Sequence, residues 1–119
     1  MLLIAIAGAA GASARYGIGV AVGARSFPWS TLAINLIGSF ALGLLAKVSL
    51  ERDWTATQTL PLTVGFLGAF TTFSTFSVEA HTMLRDGRTL EAAAYVGLSV
   101  VGGLLAATAG YALASTSTS

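Results

Sequence analysis

The reading turns on Gly65-Phe66-Leu67-Gly68-Ala69-Phe70-Thr71-Thr72-Phe73-Ser74-Thr75-Phe76-Ser77. This run sits inside an apolar segment long enough to cross a bilayer. Yet Thr71, Thr72, Ser74 and Thr75 alternate there with Phe73 and Phe76. β-Branched and aromatic residues lose side-chain freedom in a helix, and hydroxyls compete for its backbone hydrogen bonds. Backbone that leaves the helix at membrane depth must be buried in protein or line a watery cavity. The run therefore predicts a helix broken mid-membrane, at a functional site.

Working outward, the 119 residues are 55% hydrophobic and only 9% charged. A soluble domain carries roughly 25% charged residues, so this composition reads as an integral membrane protein. The length allows a single domain, residues 1–119, of four spans at about 20 residues each. A net charge of +1 provides no basic field for nucleic acid. The absence of cysteine excludes disulfides and thiolate chemistry, and one histidine with five acids leaves little for a metal or hydrolytic centre.

Three polar breaks divide the chain into spans of about 2–24, 30–49, 60–84 and 90–114. The breaks are Arg25-Ser26-Phe27-Pro28, the stretch Glu51 to Gln58, and Arg85-Asp86-Gly87-Arg88. Met1 to Ala14 has the apolar look of a signal peptide but no basic leader, and the apolar run resumes after Arg15-Tyr16, so it reads as the first span. Pro61 is expected in the first turn of the third span, where its missing N–H costs nothing. The tail Ser115 to Ser119 is expected to fray. Loops one and three hold Arg25, Arg85 and Arg88, against Lys47 and Arg52 around loop two. So even a split either lets one charge fix the orientation or allows insertion both ways round. Small residues such as Gly19-xxx-Gly23 and Ser39-xxx-Gly43 permit close helix packing in lipid, and a unit this small points to an oligomer.

Several polar residues fall inside the spans. Arg15 either snorkels to an interface, forms a structural pair or makes an electropositive entrance. Asn35 is either interhelical glue or a donor to a dehydrated anion. Phe73 and Phe76 share a helical face, and their positive ring edges stand among hydroxyls. Glu79, one turn after Thr75 and Phe76, is either solvated near a surface or part of that polar wall, whereas His81, two residues later, lies on a different face and suits a solvated position. Tyr95 and Ser99 form a stripe four residues apart, although Tyr95 also suits an interfacial belt. No nucleophile–base–acid constellation and no phosphate loop is present, so the chain does not read as an enzyme.

Three ordered blocks resemble the small bacterial fluoride channel family known as Fluc or CrcB. They are Gly8-Ala9-Ala10-Gly11-Ala12-Ser13-Ala14-Arg15-Tyr16, Thr31-Leu32-Ala33-Ile34-Asn35-Leu36-Ile37-Gly38-Ser39-Phe40, and Gly65 to Phe76. The resemblance implies an all-α membrane protein of four transmembrane helices, the third broken, paired as an antiparallel dual-topology homodimer in the bacterial cytoplasmic membrane. It implies two pores at the dimer interface that export fluoride passively and so protect against fluoride toxicity. By matching position, Asn35 would hydrogen-bond fluoride and Phe73 and Phe76 would form an aromatic box. Ser74, Thr75 and Glu79 would lie along a polar track, with Tyr95 and Ser99 nearby and Arg15 at a vestibule. Backbone carbonyls of Gly68 and Thr71 would hold a structural sodium ion at the dimer centre. One position departs from the family pattern: Gly103 stands where some members carry a serine, which puts a continuous hydroxyl ladder on the fourth helix in doubt.

Two rivals compete. A small four-span multidrug exporter needs an intramembrane acid, typically in the first span, and residues 2–24 contain no Asp or Glu. A non-transporting assembly subunit would account for the small residues but not for the clustered Thr, Ser and Phe.

Overall fold

The structure, a computed structural model, describes residues 1–23 and 25–118, the last four of these by their backbone alone. The described residues form helices and connecting turns, without strands. Helix α1 spans Leu2–Val22 and α2 spans Trp29–Glu51. The third span is composite: α3 Ala56–Leu60, a π-helix π1 Pro61–Leu67, α4 Gly68–Phe70 and α5 Phe73–Arg85. Helix α6 runs Thr89–Thr118. Four stretches are long and apolar enough to cross a membrane: Leu2–Val22, Trp29–Glu51, Ala56–Arg85 and Thr89–Ala114.

Helix ends differ from the hydropathy limits because polar residues extend helices into the interface. The third span starts at Ala56 rather than near 60. Thr55 and Gln58 form a capping box there, with the Thr55 N–H donating to Gln58 Oε1 at 2.9 Å. Helix α2 continues to Glu51, where an i,i+4 pair with Lys47 at 2.6 Å supports its last turn. Backbone helicity also continues through the polar tail to Thr118, where fraying was expected. The expected end of the first span, Ala24, lies outside the described residues, and α1 stops at Val22. A Schellman closure ends α5: Gly87 at φ 78°, with Arg88 N–H on Met83 O (2.8 Å) and Gly87 N–H on Leu84 O (3.1 Å).

Pro61 is not in a first turn, because the helix begins earlier than hydropathy indicates. Lacking an N–H, it cannot complete an α-helical bond to Thr57. The backbone widens from that point into the π-helix, which ends with the Gly68 N–H reaching back five residues to Thr63 O. The expected break then falls at Thr71 (φ −80°, ψ 156°) and Thr72 (φ −149°, ψ 113°), both extended.

Packing is backbone-close in two places. A Cβ on Gly11 would collide with the Phe66 carbonyl, which seats α1 on π1. Cβ atoms on Gly43 and Gly110 would collide with the carbonyls of Ala107 and Phe40, which locks α2 to α6. Ser39-xxx-Gly43 thus serves this packing, whereas Gly19 and Gly23 face open space. Two apolar cores flank the break. One joins Leu32, Ala80, Met83, Ala92 and Tyr95, and the other joins Ile34, Leu67 and Phe70.

Candidate functional site

The break is pinned from outside its own helix. Asn35 Nδ2 donates to Thr72 O at 3.1 Å, and the Thr72 N–H donates to Asn35 Oδ1 at 2.9 Å. The side-chain amide thus pairs with the Thr72 backbone as a neighbouring strand would. Asn35 is glue by this geometry, yet it keeps a second N–H, since an amide nitrogen carries two donors. Thr72 also caps α5, its Oγ1 accepting from the Thr75 N–H at 3.2 Å.

These substitutions release particular carbonyls. In an unbroken helix Gly68 O would accept from Thr72 N–H, and Thr71 O from Thr75 N–H. Both donors are diverted, one to Asn35 and the other to the Thr72 hydroxyl. Ala69 O is taken by Arg15, whose Nε donates to it at 3.1 Å. Arg15 is therefore a structural partner of the break, and it also lines a cavity beside it. The freed oxygens of Gly68 and Thr71 are a donor set that suits a hard cation.

Two cavities meet at Thr72. The first, about 300 Å³, is lined by Asn35, Ser39, Gly68, Thr71, Thr72 and Phe73, among others. The second, about 490 Å³, is walled by Arg15, Thr31, Thr72, Thr75 and Glu79. Phe73 is 79% exposed and tilts against Phe76 at 5.8 Å between ring centroids. Phe76 in turn packs on Tyr95 at 5.0 Å. Tyr95 is fully buried, not in an interfacial belt, because Phe27 folds under it edge-on at 5.6 Å. Its hydroxyl donates to Glu79 Oε1 at 3.3 Å. Phe73, Phe76, Tyr95 and Glu79 thus form a connected wall.

Ser99, one turn beyond Tyr95, has a buried hydroxyl without a hydrogen-bond partner among the described residues. Ser74 is exposed and lines neither cavity, and His81 is exposed as well. Gly103 faces Ser39 Oγ, which would lie 3.6 Å from an added Cβ. A hydroxyl from α2 therefore stands beside the gap in the α6 ladder. Thr31 and Ser39 carry no expectation as site residues from sequence, Ser39 being read only as a packing residue, but their spacing held the signal. Thr31, Asn35 and Ser39 recur every four residues, so they form one polar stripe that serves both cavities.

Comparison with known proteins adds a family match. Residues 2–111 match the family model described as CrcB-like protein, Camphor Resistance (CrcB). A protein of Symbiobacterium thermophilum named "Fluoride-specific ion channel FluC 1" is 47% identical over 117 residues, covering 94% of each chain. One of Idiomarina loihiensis, named "Fluoride-specific ion channel FluC", is 46% identical over 101 residues, 82% of this chain and 78% of its own. A Thermus thermophilus protein of the same name is 45% identical over 116 residues, 94% of this chain and 91% of its own.

Proposed function

The chain belongs to the CrcB-like family, and from that premise we propose that it conducts fluoride. It is a multi-pass protein of the bacterial cytoplasmic membrane and an ion channel rather than an enzyme. It exports fluoride passively and so confers resistance to fluoride. The observation that carries this reading is the break at Thr71–Thr72, pinned by Asn35, which keeps a second amide N–H, and fronted by Phe73.

The chemistry follows from fluoride's strong hydration. A pore must replace that water with several donors, none strong enough to trap the ion. The second Asn35 N–H, the hydroxyls of Thr75 and Ser99, and the positive edges of Phe73 and Phe76 supply weak donors without a formal cation. Arg15 adds charge to the cavity beside the break, where it attracts anions. A narrow slot also disfavours the larger chloride. Hydrogen fluoride enters cells uncharged and dissociates in the more alkaline interior, and the membrane potential then drives the anion out.

The working unit on this reading is an antiparallel homodimer with two pores. Its support is that the first cavity opens on the surface of a single chain. Polar backbone at membrane depth must be covered by protein or water. The near-even loop charges permit the opposite insertions that such a pair needs. The freed carbonyls of Gly68 and Thr71, doubled by a partner, would hold a structural sodium ion. Its charge would offset the exposed carbonyl dipoles.

Expression in a bacterium lacking its own fluoride exporter tests the function. Growth in fluoride medium should be restored by the wild-type chain and not by Phe76→Ile. No restoration by a wild-type chain that reaches the membrane would refute the reading.

A further inference from the structure

Helices α2 and α6 run in the same direction, and glycine contacts fix their register. Gly103 of α6 lies against Ser39 of α2, and Gly43 of α2 lies against Ala107 of α6, one turn further along both helices. Four residues earlier in each helix, Asn35 stands level with Ser99, and four earlier again Thr31 stands level with Tyr95. The α2 stripe Thr31–Asn35–Ser39 therefore runs beside the α6 stripe Tyr95–Ser99–Gly103. The first two levels carry polar groups from both helices. At the third level α6 has only a glycine, and the hydroxyl comes from Ser39. Its Oγ lies 3.6 Å from the place a Cβ on Gly103 would take.

The Ser39 hydroxyl is also uncommitted. Helical hydroxyls often donate back to the carbonyl four residues earlier, and Thr63, Thr71, Ser77 and Thr108 do so at 3.0, 2.9, 3.0 and 2.8 Å. The Ser39 side chain makes no such bond to Asn35 O, and no other hydrogen bond among the described residues. Ser99 is likewise without a partner, but its hydroxyl is sealed inside the protein. Ser39 is half-buried and lines the first cavity together with Asn35 and Phe73. Beyond it the stripe continues with Gly43, so Ser39 is its last hydroxyl, about 6 Å along the helix from Asn35.

We propose that the Ser39 hydroxyl is a donor to the permeating anion. It takes fluoride one turn beyond Asn35 and supplies from α2 the hydrogen bond that Gly103 cannot supply from α6. This inference rests on the fluoride reading and deepens it. A dehydrated ion must be passed between several weak sites to keep moving, and without Ser39 the last turn of the stripe would offer no hydroxyl. The packing role of Ser39 and its donor role reside in different atoms, the first in Cβ and the second in Oγ.

The test moves the hydroxyl from one helix to the other. Fluoride efflux is measured from liposomes holding the purified full-length chain as wild type, as Ser39→Ala, and as Ser39→Ala combined with Gly103→Ser. Alanine keeps the Cβ and removes only the donor, so Ser39→Ala should melt in detergent as the wild type does. Its fluoride efflux should fall about fivefold, the worth of one ordinary hydrogen bond expressed as a rate. The double variant should recover to within about twofold of wild type, because a serine at 103 returns a hydroxyl to the same level. A packing role for Ser39 would give no such recovery. Ser39→Thr and Ser39→Val form a second pair of equal shape, of which only the first keeps a hydroxyl. Threonine should conduct better than valine, whatever strain their shared shape imposes. Wild-type efflux from Ser39→Ala, an equal deficit in the single and double variants, or equal efflux from the threonine and valine variants would overturn the inference and leave the channel standing. Absence of fluoride efflux from the wild type would overturn the fluoride reading as well.

Discussion

Asn35 carries more of the site than any other side chain. Its amide completes both halves of a backbone pair with Thr72, which an aspartate cannot do, since a carboxylate has no N–H for Thr72 O. Asn35→Asp should therefore lower fluoride efflux about tenfold or more, equivalent to about 1.4 kcal/mol at the barrier. The dimer should remain assembled on size-exclusion chromatography, because the substitution keeps the size of the side chain and removes only its N–H donors. Unchanged flux in both Asn35→Asp and Phe76→Ile would remove these residues from the pore. Gly103→Ser makes a contrasting case. Its added Cβ meets Ser39 Oγ at ordinary contact distance, so the variant should fold and conduct. Gly110→Ala drives a methyl into the Phe40 carbonyl and should destabilise the chain by about 1–3 kcal/mol. Thermal melts in detergent should separate the two substitutions, and equal melting would contradict the packing account.

At the scale of elements, the broken third helix was legible in sequence, because Thr71, Thr72, Ser74 and Thr75 interrupt an apolar span where hydroxyl chemistry opposes the helix. Its neighbours were less so. Hydropathy put the start of the span near 60, but the Thr55–Gln58 capping box starts the helix by hydrogen bonding, which an apolar count does not register. Pro61 consequently moved from a harmless first turn into the interior, where it opens the π-helix. Tyr95 suits either a polar stripe with Ser99 or an interfacial belt by its place in α6. Only the fold of the α1–α2 connection brings Phe27 beneath it. The Asn35–Thr72 pairing depends on the register between two helices, which no local pattern encodes. Removal of the cap by Thr55→Ala should cost about 1 kcal/mol, measured as a lower melting temperature with fluoride selectivity unchanged. A selectivity change would mean that the cap shapes the pore.

The whole molecule is open for its mass. Its accessible surface is 7142 Å², against about 6,000 Å² for a compact 12 kDa monomer. Much of the excess is apolar and suits lipid, but the cavity beside the break also opens outward with Asn35, Thr71 and Thr72 in its wall. A second copy in the opposite orientation would close it and would bring a second set of Gly68 and Thr71 carbonyls to the same cation. Replacement of sodium by a bulky organic cation should then lower fluoride flux and weaken the dimer together, with sodium restoring both. Loss of neither would remove the cation from the account. On this reading the chain alone should form a fluoride-selective pore. The most direct measurement is fluoride and chloride efflux from liposomes that hold only the purified protein, with sodium present. Rapid fluoride efflux with chloride retained is the expected result. Folded protein that releases no fluoride, or releases both anions alike, would contradict it.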